Sequence, residues 1–252
     1  MIDTHSHLFG IEFENDLENC IARCKENNIN KIVLVGFSKE TNEKAYLLAK
    51  KYDIFYPTAG IHPSEADNDF ADQLKDLEIF IQNHTVYAIG ECGLDYHYTK
   101  DNAGIQKKLF QAQIELAIRL DLPIIVHMRD ATLDTVEILK NYQGKIKGVM
   151  HCYSGSLEMA KEFIKIGMYI SLGGPVTFKN AKESKRIAKE IPLDKLLIET
   201  DCPYMAPTPF RGDRNESSYV VYVAKMIAEL RGLSLEEIDK VTTLNSEKLF
   251  KI

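Results

Sequence analysis

Short apolar, β-rich runs alternate with helix-like stretches along the whole of this chain. Strand patterning picks out residues 2–7, 31–35, 54–60, 86–90, 123–127, 146–151, 168–172 and 195–200. Amphipathic stretches such as 101–120, 131–141 and 157–166 lie between them, and 217–230 and 235–249 follow the last strand. Eight strands separated by helices in 252 residues match a closed (β/α)8 barrel of the TIM type. A doubly wound open sheet is the rival, but no glycine-rich phosphate loop follows the first strand. With 45% hydrophobic residues, the chain can bury one substantial core. Low-complexity tracts, charge blocks and linkers are absent, so residues 1–252 read as a single α/β domain.

Such barrels build their active sites at the carboxyl ends of the strands. The first strand ends in Thr4-His5-Ser6-His7, where alternation turns His5 and His7 to one face. The fourth ends at Glu91, the fifth at His127, the sixth at His151 and the eighth at Asp201. A single strand-end histidine is more often a hydrogen-bonded structural residue than a ligand. Four imidazoles and two carboxylates at one mouth reverse that reading. They exceed the needs of one tetrahedral ion and suit two ions sharing a bridging carboxylate.

The segments DTHSHL, GIHP, GECGLDY, HMRDA, HCYSG, ETDCPYMAP and RGDRNE carry a stronger signal together. With them, the chain resembles the TatD family of metal-dependent deoxyribonucleases, within the amidohydrolase-like barrel superfamily. The resemblance implies that His5, His7, Glu91 and Asp201 hold one divalent ion. It implies that Glu91, His127 and His151 hold a second, with Glu91 bridging. It also implies Mg²⁺ or Mn²⁺ as the working ion, whereas mixed nitrogen and oxygen donors suit Zn²⁺ or Mn²⁺. One departure is local: Asn215-Glu216 is followed by Ser217, where the family usually has proline.

Asp201 is the expected acceptor of a proton from the attacking water, with Glu91 the other catalytic carboxylate. His62, after the third strand, is expected to contact substrate rather than metal, with a plain loop histidine as its alternative. Arg129 could clamp a phosphate in fork geometry or pair with Asp130 or Asp134. Arg211 and Arg214, in the loop after strand eight, are further phosphate candidates. Asp3 and Glu199 each lie two residues before a ligand and are expected to support a metal-ligating histidine through its free N–H. Tyr96, Tyr98, Phe178 and Tyr204 could stack on bases or cap the mouth. Cys92, Cys152 and Cys202 each follow a proposed ligand and should face away from it. Cys20 and Cys24 receive no function.

The net charge of −6 argues against broad duplex binding but permits grip on one or two terminal nucleotides. The leading expectation is a two-metal phosphodiesterase acting on single-stranded or frayed DNA ends; the alternative is an amide or lactone hydrolase on the same barrel. A metal-binding protein without catalysis is disfavoured by Asp201. No apolar run reaches membrane-spanning length, and a ligand-bearing strand at Ile2 leaves no room for a leader. Five cysteines suit a reducing cytosol. A cytoplasmic monomer is expected.

Overall fold

The computed structural model describes residues 1–97 and 100–252. Among these residues are eight strands: β1 (Ile2–Ser6), β2 (Lys31–Val35), β3 (Phe55–Thr58), β4 (Ile89–Asp95), β5 (Ile124–Arg129), β6 (Gly148–Met150), β7 (Met168–Leu172) and β8 (Leu196–Ile198). The intervening and trailing helices are α1 (Leu17–Glu26), α2 (Lys39–Lys51), α3 (Phe70–Asn83), α4 (Ala103–Leu120), α5 (Thr132–Lys140), α6 (Leu157–Ile166), α7 (Lys182–Glu190), α8 (Val220–Arg231) and α9 (Leu235–Phe250). Their ends carry local signals. Ser38 and Ser234 form capping boxes with Thr41 and Glu237, and Gly232 closes α8 in the left-handed region.

Every strand pairs in parallel with its sequence neighbour, in one ladder of β1–β3 and another of β4–β8. Single bridges join the two ladders, at Ala59 with Ile89 and at Ser6 with Cys202. Gly90 N–H donates to Ala59 O, and His7 N–H to Cys202 O, both at 2.9 Å. The barrel therefore closes, and its two seams are its narrowest ladders.

Strands β2 and β7 run as the patterning expects, but β4 begins and ends later than 86–90. Glu91 consequently sits inside a strand, with Asp95 at its end. Gly93, at φ +141°, explains the tight pairing with β5: a Cβ there would stand 2.0 Å from the His127 carbonyl oxygen. Register shifts fall between Asp3 and Ser6 of β1 and between Ile89 and Cys92 of β4. These bulges straddle His5 and Glu91, where they can re-aim a side chain.

Strand alternation divides the barrel interior by height. Ile125, Val149 and Leu197 lie two residues below His127, His151 and Glu199, in one apolar cluster with Val33, Val35 and Ala88. Leu249 and Phe250 of α9 join this cluster. The larger core packs the helices against the outer strand faces. Apolar packing thus supports a polar layer at the carboxyl ends. Among the described residues no helix is long and apolar enough to cross a membrane.

Candidate metal centre

The polar layer converges on Glu91, which is buried and whose two carboxylate oxygens face different donors. Oε2 lies 3.5 Å from His5 Nε2 and 3.8 Å from His7 Nε2. These imidazole nitrogens stand 3.2 Å apart, and Asp201 Oδ1 lies 3.7 and 3.6 Å from them. On the other side, Oε1 lies 2.9 Å from both His127 Nδ1 and His151 Nε2, which are 3.4 Å from one another. Tetrahedral donors bound at about 2.0–2.1 Å sit about 3.3 Å apart. Both donor sets fit a divalent ion on that criterion.

Second contacts orient the rings. His7 Nδ1–H donates to Val35 O at 2.8 Å, leaving the Nε2 lone pair for the first set. His127 is turned the other way: Nε2–H donates to Asp95 Oδ2 at 2.9 Å, which frees Nδ1 for the second. Below them His5 stacks on His151, with centroids 4.0 Å apart. His151 Nδ1 lies 3.5 Å from Glu199 Oε1. Among the described residues, His5 Nδ1, His151 Nδ1 and Glu199 Oε2 are buried without a hydrogen-bond partner. One donor from each of His5, His151 and Glu199 lies within 4.8 Å of the others. Glu199 thus lies beside the imidazoles.

The electrostatics follow from this crowding. Burial alone would raise the Glu91 and Asp201 carboxyls, but the facing histidines outweigh it and hold both below the usual carboxylate range. Burial lowers His7, His127 and His151, yet their carboxylate partners bring each above the ordinary histidine value. His5, lowered by burial and by His151, stays on the neutral side.

His62 is set apart by its tautomer. Ser64 donates its backbone N–H to His62 Nδ1 at 3.1 Å, so the neutral ring carries its proton on Nε2, 3.7 Å from Glu91 Oε1. Burial brings its pKa down to about 4. This is a neutral donor aimed at the site, with its lone pair already used, and it suits substrate contact better than metal ligation.

Other expectations are revised. Among the described residues Asp3 turns to the chain after β8 rather than to a ring: its oxygens accept from the Thr200 N–H and hydroxyl at 2.9 and 2.6 Å, and burial lifts its carboxyl to about 7. It ties β1 to the chain leaving β8. Cys152 departs from the strand alternation: its φ is +42°, and its backbone N–H donates to Glu199 Oε1 at 2.5 Å. Burial raises its thiol, and the Asp201, Glu199 and Glu91 carboxylates raise it further. Cys92 and Cys202 are buried, with thiols against the Ile125 carbonyl and Ser6 hydroxyl.

Arg214 is committed elsewhere. Its guanidinium donates to Asp16 at 2.5 Å and to the Glu12 carbonyl at 2.7 Å, over the Phe13 ring. Arg23 joins this network through Asp16 and Glu216, at 2.8 and 2.6 Å. The Asp16, Cys20 and Glu216 cluster is therefore a charge lock whose oxygens serve two guanidiniums. Arg211 stacks on Phe178 at 4.3 Å, and Arg129 stands exposed at the end of β5. Tyr96 is buried with its hydroxyl on Asp134, and Tyr98 lies outside the described residues.

Three contributors escape the sequence reading. Asp95 shares its strand face with Glu91 and Gly93, so period-two counting within GECGLD could have found it. Phe9 and Phe37 border His7, with centroids 5.7 and 5.4 Å away. They lie just beyond strand ends, but neither belongs to a polar motif.

Comparisons with known proteins place the chain in a family. The family model described as TatD related DNase matches residues 2–251. An uncharacterized metal-dependent hydrolase of Bacillus subtilis, YabD, is 48% identical over 253 residues, covering 100% of this chain and 99% of the relative. The protein of Pectobacterium parmentieri named 3'-5' ssDNA/RNA exonuclease TatD is 30% identical over 259 residues, with 100% of both chains covered. The crystal structure of YjjV, a TatD homologue from Escherichia coli K12, superposes with a TM-score of 0.92 at 31% identity, covering 100% of this chain and 98% of that one. The chain belongs to the TatD-related DNase family and is a metal-dependent hydrolase of TatD type with a (β/α)8 barrel fold.

Proposed function

We propose that this enzyme is a two-metal phosphodiesterase that removes nucleotides from the ends of single-stranded or frayed DNA. The observation that carries the reading is Glu91, whose oxygens each serve a separate donor set. His5, His7, Glu91 and Asp201 would hold one ion, and Glu91, His127 and His151 the other. When bound, a pair of divalent ions supplies Lewis acidity to phosphate oxygens and lowers the pKa of the attacking water. Asp201, ionised and only partly shielded from the mouth, accepts the proton of that water as its oxygen forms the new bond to phosphorus. His62 Nε2–H donates to an oxygen of the phosphorane as negative charge builds on it. The P–O ester bond breaks on the opposite side, and the departing nucleoside oxygen takes up a proton from solvent water. Arg129 and Arg211 supply positive charge at the rim for neighbouring phosphates. The acidic chain and the activity named for the Pectobacterium relative both favour strand ends over long duplex tracts.

The test incubates metal-loaded protein with single-stranded DNA labelled at either end, beside Asp201→Asn. Stepwise shortening that vanishes in the variant is expected and gives the polarity. Intact DNA with both proteins overturns the substrate class. Arg129→Ala should weaken turnover at unchanged metal content; metal loss would assign Arg129 a structural role.

A further inference from the structure

Aromatic carbon is exposed beside the first donor set. Phe9, Phe37 and Tyr204 surround the His7 ring with centroids at 5.7, 5.4 and 6.4 Å. Phe9 and Phe37 lie 6.3 Å apart, and Phe37 also reaches His62 at 6.4 Å. All three ring planes stand at 64–85° to the His7 imidazole, edge to face rather than stacked on it. Phe9 and Phe37 are half-buried, while Tyr204 is 59% and its neighbour Met205 51% exposed.

Apolar surface at the lip of a charged mouth is unfavourable in water and marks a place where a ligand covers it. The position selects the ligand. A phosphodiester held at His7 and Asp201 carries a base one sugar away, within reach of the rings around the same histidine. Flat heteroaromatic rings stack on such side chains whatever their sequence, because every base has a π-face.

We propose that Phe9, Phe37 and Tyr204 form a stacking subsite for the nucleobase next to the cleaved bond, holding one base at the metal centre without reading its identity. This subsite rests on the phosphodiesterase reading above. Its contribution is to substrate binding, so it belongs in KM more than in kcat.

The experiment uses metal-loaded enzyme and two single-stranded oligonucleotides. They differ only in whether the terminal nucleotide at the digested end carries a base or an abasic tetrahydrofuran unit. Loss of the base should raise the wild-type KM about 10-fold. In Phe37→Leu and Tyr204→Leu, which keep apolar bulk and remove the π-face, the same change should raise KM by less than about 3-fold. Metal content of each variant separates lost stacking from a displaced His7. A wild-type KM indifferent to the base, or variants that retain the full base dependence, would overturn the subsite. Failure of the wild type to cleave either oligonucleotide sinks the phosphodiesterase reading itself, and the subsite with it.

Discussion

The Ser64 backbone N–H donates a hydrogen bond to one nitrogen of His62, and Asp95 accepts one from a nitrogen of His127. Those two contacts give neighbouring imidazoles opposite work. His62 presents a proton to the site and His127 presents a lone pair. His62→Ala should therefore cut kcat about 100-fold at unchanged metal content, measured by steady-state kinetics beside elemental analysis. Its pKa of about 4 has a consequence for stability. The folded protein resists a proton that the unfolded chain accepts near 6.5, so this contribution is complete above 6.5 and is lost as pH falls towards 4. His62→Gln should narrow the gap in Tm between pH 7 and pH 4.5; an unchanged gap would refute the depressed pKa. Glu199 belongs to the same scale. As the carboxylate beneath His5 and His151, it should fix both rings, and Glu199→Gln should weaken metal affinity about 10–100-fold in chelator competition without unfolding the protein. The six ligand-type residues were legible in the sequence because each ends a β-rich run. Asp95 was not, because the expected strand stopped at residue 90 and hid the shared face of Glu91 and Asp95.

At the scale of elements, position depends on contacts that periodicity does not encode. The run 86–90 is more β-branched and aromatic than Gly90-Glu91-Cys92-Gly93, yet pairing with β5 pulls the strand forward to Asp95. Gly93 permits that pairing, since any side chain would drive into the His127 backbone. Gly93→Ala should displace β5, lower Tm and weaken the metal set containing His127; a variant with wild-type metal affinity would contradict the close approach. The charge lock works between elements rather than on substrate. It fastens α1 to the segment after β8 through Arg23, Arg214, Asp16 and Glu216. Arg214 lies in that loop, but the direction of its long side chain is decided by the half-buried carboxylate of Asp16. Arg23→Ala would leave the buried Glu216 to the Ser218 hydroxyl and an Arg214 guanidinium 3.6 Å away, costing about 2 kcal/mol and some 6 °C in Tm at unchanged metal content.

The whole molecule is an eight-strand barrel with two weak seams, one at Ala59 with Ile89 and one at Ser6 with Cys202. The order of strands was readable from alternation alone, whereas the seams depend on how three- and five-strand ladders meet in space. The first donor set crosses both: His5 lies in β1 and His7 just after it, Asp201 follows β8, and Glu91 comes from β4. The second set stays within the larger ladder. Metal loading should therefore stabilise the fold, by about 2.7 kcal/mol at one hundred times the dissociation constant, and should protect the seam amides of His7 and Asp201 from hydrogen exchange more than the β5–β6 ladder. All of this returns to Glu91 as a bridge. The most direct measurement is anomalous diffraction from crystals loaded with Zn²⁺ or Mn²⁺. The account predicts two peaks about 3.5–4 Å apart, one beside each Glu91 oxygen, shared with His5, His7 and Asp201 on one side and His127 and His151 on the other. A single peak, or two that do not share Glu91, would contradict it.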